Sequence, residues 1–320
     1  MSECVKIKNG LNIQLTGEAH KLLSDLPSPE VFAIKPTEFT GISPKVLVKP
    51  GDEVLAGSAL FFDKNNESII FSSPVSGEII EVVRAEKRKL LEIKILADKE
   101  IKYLEFNKSN PEDLSREDII QALLNSGLWP LIRQRPFGTI AKPTEIPKSI
   151  FISSFDTNPL APDIDFIMKG ENQETFQTGL NALIKLTNGK THLNIDGSKE
   201  AASIFQNSKG VILNKFLGPH PAGNVGVQIH HIDPINKGEV VWYVNPQDVL
   251  IIGKLFSEGR YDASRIIALT GSQVSSPKYY KTIIGSSVKN IINEGGLKTG
   301  ENRLISGNVL SGSQIQEDGF

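Results

Sequence analysis

Val48-Lys49-Pro50-Gly51-Asp52-Glu53-Val54-Leu55-Ala56-Gly57 and, further along, Ser73-Pro74-Val75-Ser76-Gly77-Glu78-Ile79 decide how the first third of this chain folds. Each run carries glycine where a tight hairpin needs positive φ, a conformation that a residue without Cβ adopts freely. Around them lie short apolar runs: Val46-Leu47-Val48, Leu60-Phe61-Phe62, Ile69-Ile70-Phe71, Ile79 to Val83 and Leu90 to Ile95. Turn residues separate these runs, among them Asn65-Asn66. Short strands at this spacing predict an all-β unit over residues 1–100, a small barrel or sandwich.

The character changes over residues 101–256. Ser115-Arg116-Glu117-Asp118 can cap a helix running through Ile119 to Leu124 and ending at Gly127. Lys148 to Phe155 alternates like a buried strand and stops at Asp156. Phe176, Leu180, Leu183, Ile184 and Thr187 keep a helical spacing that Gly189 ends. Thr191 to Ile195, Val211 to Leu213 and Val240 to Val244 read as strands, with a helix over Lys199 to Phe205. Asn245 is an N-cap with Pro246 at the first helical position, and Gly259 follows the helix end. Alternating strands and helices predict a Rossmann-like α/β layer with a mainly parallel sheet. Residues 257–320 read as a third, β-grasp-like unit. Its expected strands are Arg265–Leu269, Tyr279–Ile284, Arg303–Ile305 and Asn308–Leu310, with a helix over Ser286–Glu294 closed by Gly295-Gly296.

Composition excludes several chemistries. Lys+Arg is 35 against 37 Asp+Glu, a net charge of −2 that gives no sign of nucleic-acid binding. A lone Cys4 rules out a disulfide within the chain and a four-cysteine iron–sulfur site. The histidines are His20, His192, His220, His230 and His231. The adjacent pair His230-His231 is expected in a strand and so on opposite faces, which argues against a shared metal. No metal site and no catalytic residue are expected. The N-terminus does not read as a signal peptide, and no apolar run approaches the ~18–20 residues of a spanning helix. Membrane contact is therefore expected through partner proteins alone.

Two loops stand out. Gly218-Pro219-His220-Pro221-Ala222-Gly223-Asn224-Val225-Gly226 and Ser153-Ser154-Phe155-Asp156-Thr157-Asn158-Pro159-Leu160 both follow strands, where open α/β sheets place their ligands. Each can equally be a rigid structural turn. No G-x-G-x-x-G occurs, and Gly295 to Gly300 is a helix C-cap rather than a phosphate loop. On residues alone, the chain is a binding or scaffold protein of α/β class with a β-barrel appendage.

Resemblances extend this. The turns around Gly51 and Gly77 resemble biotinyl and lipoyl modules, barrel-sandwich hybrids whose modified lysine sits between the two turns; Lys64 is near that place. A biotin or lipoyl carrier modified at Lys64 is thus one alternative, the other being solvation of a plain turn lysine. Taken together, the motifs resemble the A subunit of the Na⁺-translocating NADH:quinone oxidoreductase. They are Lys8-Asn9-Gly10-Leu11, Gly51 to Val54, Ser73 to Gly77, Ser126-Gly127-Leu128-Trp129 with Arg133 to Phe137, Asp156 to Ala161, Gly218 to Gly223 and Leu304 to Gly312. Gly271-Ser272-Gln273-Val274-Ser275-Ser276-Pro277 is similar to the β-grasp module of soluble ligand-binding (SLBB) type.

The resemblance implies a peripheral subunit on the cytoplasmic face of the bacterial inner membrane. Five other subunits complete that complex, which passes electrons from NADH to ubiquinone and exports Na⁺. FMN, FAD, riboflavin and iron–sulfur are expected in the partner subunits, with no cofactor in this chain. The flavin-binding subunit of respiratory complex I, a distant relative, has a Gly-rich run where Ser126 to Phe137 stands here, so FMN binding is expected to be lost. Trp129, Arg133, Arg135, Asp156, Asn158 and His220 are the candidate quinone or partner contacts. Family members continue past the equivalent of Phe320, so the chain is expected to be a truncated form. The rival within the redox class is the C subunit of an Rnf-type electron-transport complex, which should carry C-x-x-C runs and a flavin loop.

Overall fold

The computed structural model describes residues 3–316 and Gly319. The N-terminal strands are β1 (Cys4–Lys6), β2 (His20–Asp25), β3 (Val31–Ile34), β4 (Pro44–Val46), β5 (Glu53–Val54), β6 (Ala59–Asp63), β7 (Asn66–Ser72), β8 (Gly77–Arg84) and β9 (Leu90–Ala97). Seven of them form two sheets, ordered β3-β9-β8-β5 and β4-β6-β7. The inward side chains of Phe32, Leu60, Phe61, Ile79, Ile93 and Ile95 are fully buried. Gly51 (φ 90°) and Gly57 (φ 103°) occupy the left-handed turns read from the sequence. The barrel-sandwich expectation therefore rests on observed pairing.

The central unit holds α1 (Arg116–Asn125), β10 (Arg133–Arg135), β11 (Thr139–Ile140), β12 (Ser149–Ser153), α2 (Ile164–Met168), α3 (Gln173–Lys185), β13 (Lys190–Asp196), α4 (Ser203–Gln206), β14 (Ile212–Leu217), α5 (Val225–Ile232), β15 (Val241–Val244) and α6 (Pro246–Glu258). The capping box at Ser115 and Asp118 forms in both directions, satisfying two orphan amides of α1. The seven-stranded sheet runs β1-β14-β13-β12-β15-β10-β11, parallel from β1 to β15, with β10 antiparallel to β15 and β11 antiparallel to β10 at the far edge. The chain goes from β12 outward through β13 and β14, then returns to β15 on the other side of β12. Strand order reverses there, so the carboxyl ends of β12 and β15 flank the crevice where such folds bind ligands.

Beyond lie β16 (Ser264–Leu269), β17 (Lys278–Ile283), α7 (Lys289–Gly295), β18 (Leu304–Ser306) and β19 (Ser313–Ile315). The small sheet is β16-β17-β2, and β18 pairs with β19. Thus the first residues serve two other units: β1 adds to the central sheet and β2 to the third. One continuous apolar core runs from Phe32 and Phe61 through Trp129 and Trp242 to Tyr279.

Three local expectations are corrected. His230 and His231 lie in helix α5, not in a strand. The β-branched run Val225, Val227, Ile229, Ile232 favours a strand in isolation. Yet Val225, Ile229 and Ile232 fall on one helical stripe and cover Phe151 and Val241, and that burial outweighs propensity. Asn308–Leu310 is a turn rather than a strand, because Asn308 Oδ1 accepts the amides of Leu310 (2.9 Å) and Ser311 (3.1 Å). The strand follows at Ser313–Ile315. The helix expected from Lys199 starts only at Ser203, since the Ala202 amide is held by Asp165 Oδ1 at 2.9 Å in an extended approach.

Candidate functional site

Three of the sequence motifs meet at one place. β1, β12 and β14 all point the same way, so the loops leaving them emerge at the same end of the sheet. The His220 backbone is gripped from both sides: its amide donates to Asn12 Oδ1 (2.9 Å) and its carbonyl accepts from the Leu11 amide (2.9 Å). Its ring Nδ1 lies 3.2 Å from Thr157 Oγ1, and Thr157 Oγ1 accepts the Gly223 amide at 2.9 Å. Asp156 Oδ1 accepts from the amide and the side-chain nitrogen of Asn158 (2.8 and 2.6 Å). Asp156 is exposed, while Thr157, Asn158 and His220 are half-buried.

Two glycines set the closeness of these loops. A Cβ on Gly223 would sit 2.4 Å from the Thr157 amide nitrogen, and one on Gly10 would sit 2.1 Å from the His220 carbonyl oxygen. The glycines of the Gly-Pro-His-Pro-Ala-Gly run therefore serve loop-to-loop packing.

Beneath this junction runs a buried ladder of polar side chains that the sequence reading missed. Asn214 Nδ2 donates to Asn194 Oδ1 (2.9 Å), Asn194 Nδ2 donates to Gln228 Oε1 (2.9 Å), and Gln228 Nε2 donates to the Ala222 carbonyl (3.3 Å). All three amide side chains are fully enclosed. Asn214 Nδ2 also lies 3.2 Å from His192 Nδ1, and the His192 ring stacks on Phe151 at 4.6 Å. Burial pushes the His192 imidazole down to about 4, so it is neutral at physiological pH. The available signal was polar residues at alternate positions of an otherwise apolar strand, His192 and Asn194 flanking Leu193.

The Ser126 to Phe137 stretch leads into β10, next to the edge of the sheet opposite β1. Trp129 is completely enclosed, donates from Nε1 to the Ala141 carbonyl (2.7 Å) and packs edge-to-face on Trp242 at 5.5 Å. Backbone amides here are already used: Gly127 on Leu124, Leu128 on Leu123, Leu131 on Leu128 and Ile132 on Trp129. A flavin phosphate is held by a row of free amides, and these four are engaged with carbonyls of the chain itself. Arg133 lies over the Phe39 ring (5.2 Å) and Arg135 over Tyr243 (5.1 Å). Burial lowers the Arg133 guanidinium, with Tyr243 and Asp248 pulling it back up. Asp248 is itself engaged by Arg265 and Asn245. The candidate contacts thus divide into two groups: Asp156, Asn158 and His220 at the loop junction, and Arg133 and Arg135 on β10, with Trp129 packed behind them.

Lys64 stands exposed at the β6–β7 tip, and its amide donates to the Ser43 carbonyl (2.8 Å). A cavity of about 160 Å³ lies between α6 and the β16-β17-β2 sheet, lined by Gln247, Lys254, Asp262, Arg265 and Lys281. Sites for drug-sized ligands run to roughly 300–1,000 Å³. Among the described residues no cluster of His, Cys, Asp or Glu is arranged to hold a metal, and no helix is long and apolar enough to cross a membrane.

A barrel-sandwich pair, an α/β layer and a small mixed sheet, interlocked through their loops, define a three-module α/β protein whose glycines pack backbone against backbone. The modules match family models one by one: the NqrA N-terminal barrel-sandwich hybrid domain over residues 5–98, the NqrA second alpha/beta domain over 114–261, and the NQRA C-terminal domain, of SLBB type, over 266–317. The chain is 38% identical over 315 residues to the A subunit of the Na(+)-translocating NADH-quinone reductase of Photorhabdus laumondii, covering 98% of this chain and 70% of that one. The Yersinia pseudotuberculosis protein of the same name is 40% identical (97% and 69%), and that of Neisseria meningitidis 39% (98% and 69%). The chain belongs to the NqrA family, the A subunits of the Na⁺-translocating NADH-quinone reductases. Among solved structures, the air-oxidised NAD⁺-reducing [NiFe]-hydrogenase aligns over 62% of this chain and 42% of its own, with a TM-score of 0.42 and 15% identity, too loose a likeness to argue from.

Proposed function

We propose that this chain is a peripheral, cofactor-free docking subunit of a Na⁺-translocating NADH:ubiquinone reductase, an oxidoreductase of several subunits that couples electron transfer to Na⁺ export. In this reading it sits on the cytoplasmic face of the membrane with five other subunits, which hold FMN, FAD, riboflavin and iron–sulfur. Arg133 and Arg135, together with Asp156, Asn158 and His220, contact the partners or the quinone. Trp129 acts only from behind, by fixing the base of β10. The family relationship along all three modules supports the complex. The observation that supports the cofactor-free role is the Ser126–Phe137 stretch, in which the amides of Ser126, Gly127, Leu128, Leu131 and Ile132 already bond to carbonyls of this chain.

The test is reconstitution of the purified chain with the complex that lacks it. We expect restored quinone reduction with no flavin brought in by the chain. A chain that purifies yellow with stoichiometric flavin, or that oxidises NADH unaided, overturns the reading. A carrier role at Lys64 predicts a mass adduct on protein from its native cell, so an unmodified intact mass discards it.

A further inference from the structure

Two hairpin tips from different modules meet at Gly41. The β6–β7 tip reaches it through Asn65, whose Nδ2 donates to the Gly41 carbonyl at 3.3 Å. The β10–β11 hairpin reaches it through Thr139, whose Cγ2 lies 3.6 Å from where a Gly41 Cβ would stand. The first tip presents Lys64, exposed, with no carboxylate on its ammonium group among the described residues. The second presents Phe137, which is 82% exposed and the most exposed large apolar side chain described.

Behind Phe137 stand Arg135 and Arg133, each placed over an aromatic ring and neither in an ion pair among the described residues. Arg135 Nε is buried with no hydrogen-bond acceptor. Asp63, beside Lys64, is buried rather than presented at the tip, its Oδ1 accepting the amides of Ser43 (2.8 Å) and Asn65 (3.0 Å), while Glu67, exposed on β7, is the one acidic side chain presented three residues beyond Lys64. Desolvating a guanidinium with no carboxylate in contact is costly, a penalty that Asp248 offsets only in part at Arg133, and the Arg135 donor left without an acceptor adds to it. An acidic partner would satisfy both. Exposed aromatic residues and arginines are also the residue types that anchor protein interfaces.

From this charge and shape we infer that the paired tips, with Lys64 and Phe137 outermost and Arg135 half-buried behind them, form a docking face for an acidic segment carrying an apolar side chain on another member of the complex. The inference rests on the function proposed above. In it, Phe137 inserts between apolar groups of the partner while a carboxylate reaches Arg135 and Lys64. It also gives the β6–β7 tip, where related modules carry a modified lysine, an electrostatic use that needs no modification.

The experiment immobilises the complex that lacks this chain and measures binding of the intact chain against salt. Wild-type chain should bind, weakening steeply as salt rises. Phe137→Ala and Lys64→Glu should each weaken binding at least about tenfold, and Arg135→Glu by more. Lys289→Glu, an exposed reversal on α7 in the third module, should bind as wild type. Lys64→Glu lies at a solvent-exposed tip and remains informative if Arg135→Glu fails to fold. Wild-type binding with Phe137→Ala and Lys64→Glu unchanged overturns the docking face and leaves the proposed function standing. Failure of the wild-type chain to bind at all overturns both.

Discussion

Replacing Asn194 by leucine tests whether the buried amide ladder holds the loop junction in place. Leucine matches asparagine in branching, but its methyls need about 3.5–4 Å where the amide atoms sit 2.9 Å from Asn214 and Gln228, so some local overpacking adds to the loss. Two hydrogen bonds disappear. Asn214 Nδ2 loses its acceptor but keeps His192 Nδ1 at 3.2 Å and the Ile212 carbonyl at 3.4 Å. Gln228 Oε1 loses its donor inside the protein, where Gln228 is fully enclosed. A stranded buried acceptor costs about 1–3 kcal/mol and each lost hydrogen bond about 1 kcal/mol, so a net loss of about 2–4 kcal/mol is expected. The two tryptophans of the chain, Trp129 and Trp242, both lie in the central module, so urea unfolding followed by their fluorescence reads that module directly. Adding Gln228→Leu removes the stranded oxygen, and the double variant should lose at least about 1 kcal/mol less than the sum of the singles. Hydrogen exchange should show the Gly223 amide opening faster in Asn194→Leu, because Gln228 no longer steadies Ala222. A loss below about 0.5 kcal/mol, or strict additivity, would refute the reasoning.

Other perturbations give separate readouts. Gly223→Ala places a Cβ 2.4 Å from the Thr157 amide nitrogen, so the loops must part, at about 1–3 kcal/mol, with faster exchange at Leu11 and Gly223. At Asp163, burial alone would raise the carboxyl, but hydrogen bonds from Lys21 and Lys199 and the Phe166 amide hold it down at about 2. Its folded value lies below its unfolded one, so its contribution is present above about pH 4 and fades as pH falls toward 2; Asp163→Asn should flatten that part of the stability profile. For His192, held at about 4 by burial, protonation is disfavoured in the fold. Its contribution is full above the unfolded value near 6.5 and is lost between there and 4. Its ring protons in NMR should therefore not shift between about pH 8 and about pH 5, while those of a solvated histidine do.

Elements with local causes were readable from the sequence. Glycines at the hairpins, the Ser115–Asp118 box, Pro246 at the first helical turn and Gly259 beyond the end each act within a few residues and appear where their chemistry predicts; Asn245 holds the cap position, but its side chain donates to Asp248 instead of capping the helix. Elements decided by distant partners were not. Nothing near Cys4–Lys6 or His20–Asp25 indicates that these strands pair with residues 212–217 and 278–283. Likewise, α5 is helical only because of the sheet face it covers. At the site, the Gly-Pro-His and Asp-Thr-Asn loops were visible as separate motifs. Their meeting at Gly10, Thr157 and His220 depends on three parallel strands pointing the same way, which requires the topology. The amide ladder stayed hidden because asparagine in a strand reads as solvent-facing until the opposite strand supplies another asparagine.

The placement of β1 and β2 also bears on how this protein comes off the ribosome. Both strands are translated early, and their partners β14 and β17 arrive more than 200 residues later. At about 5–20 residues per second the opening segment waits on the order of ten seconds or more without its sheets. Leu11, Ile13, Leu15, Leu22 and Leu23, exposed even in the finished protein, are all in that waiting segment. The nascent chain thus carries this apolar stretch without its sheet partners while the central module is made, a natural target for ribosome-bound chaperones.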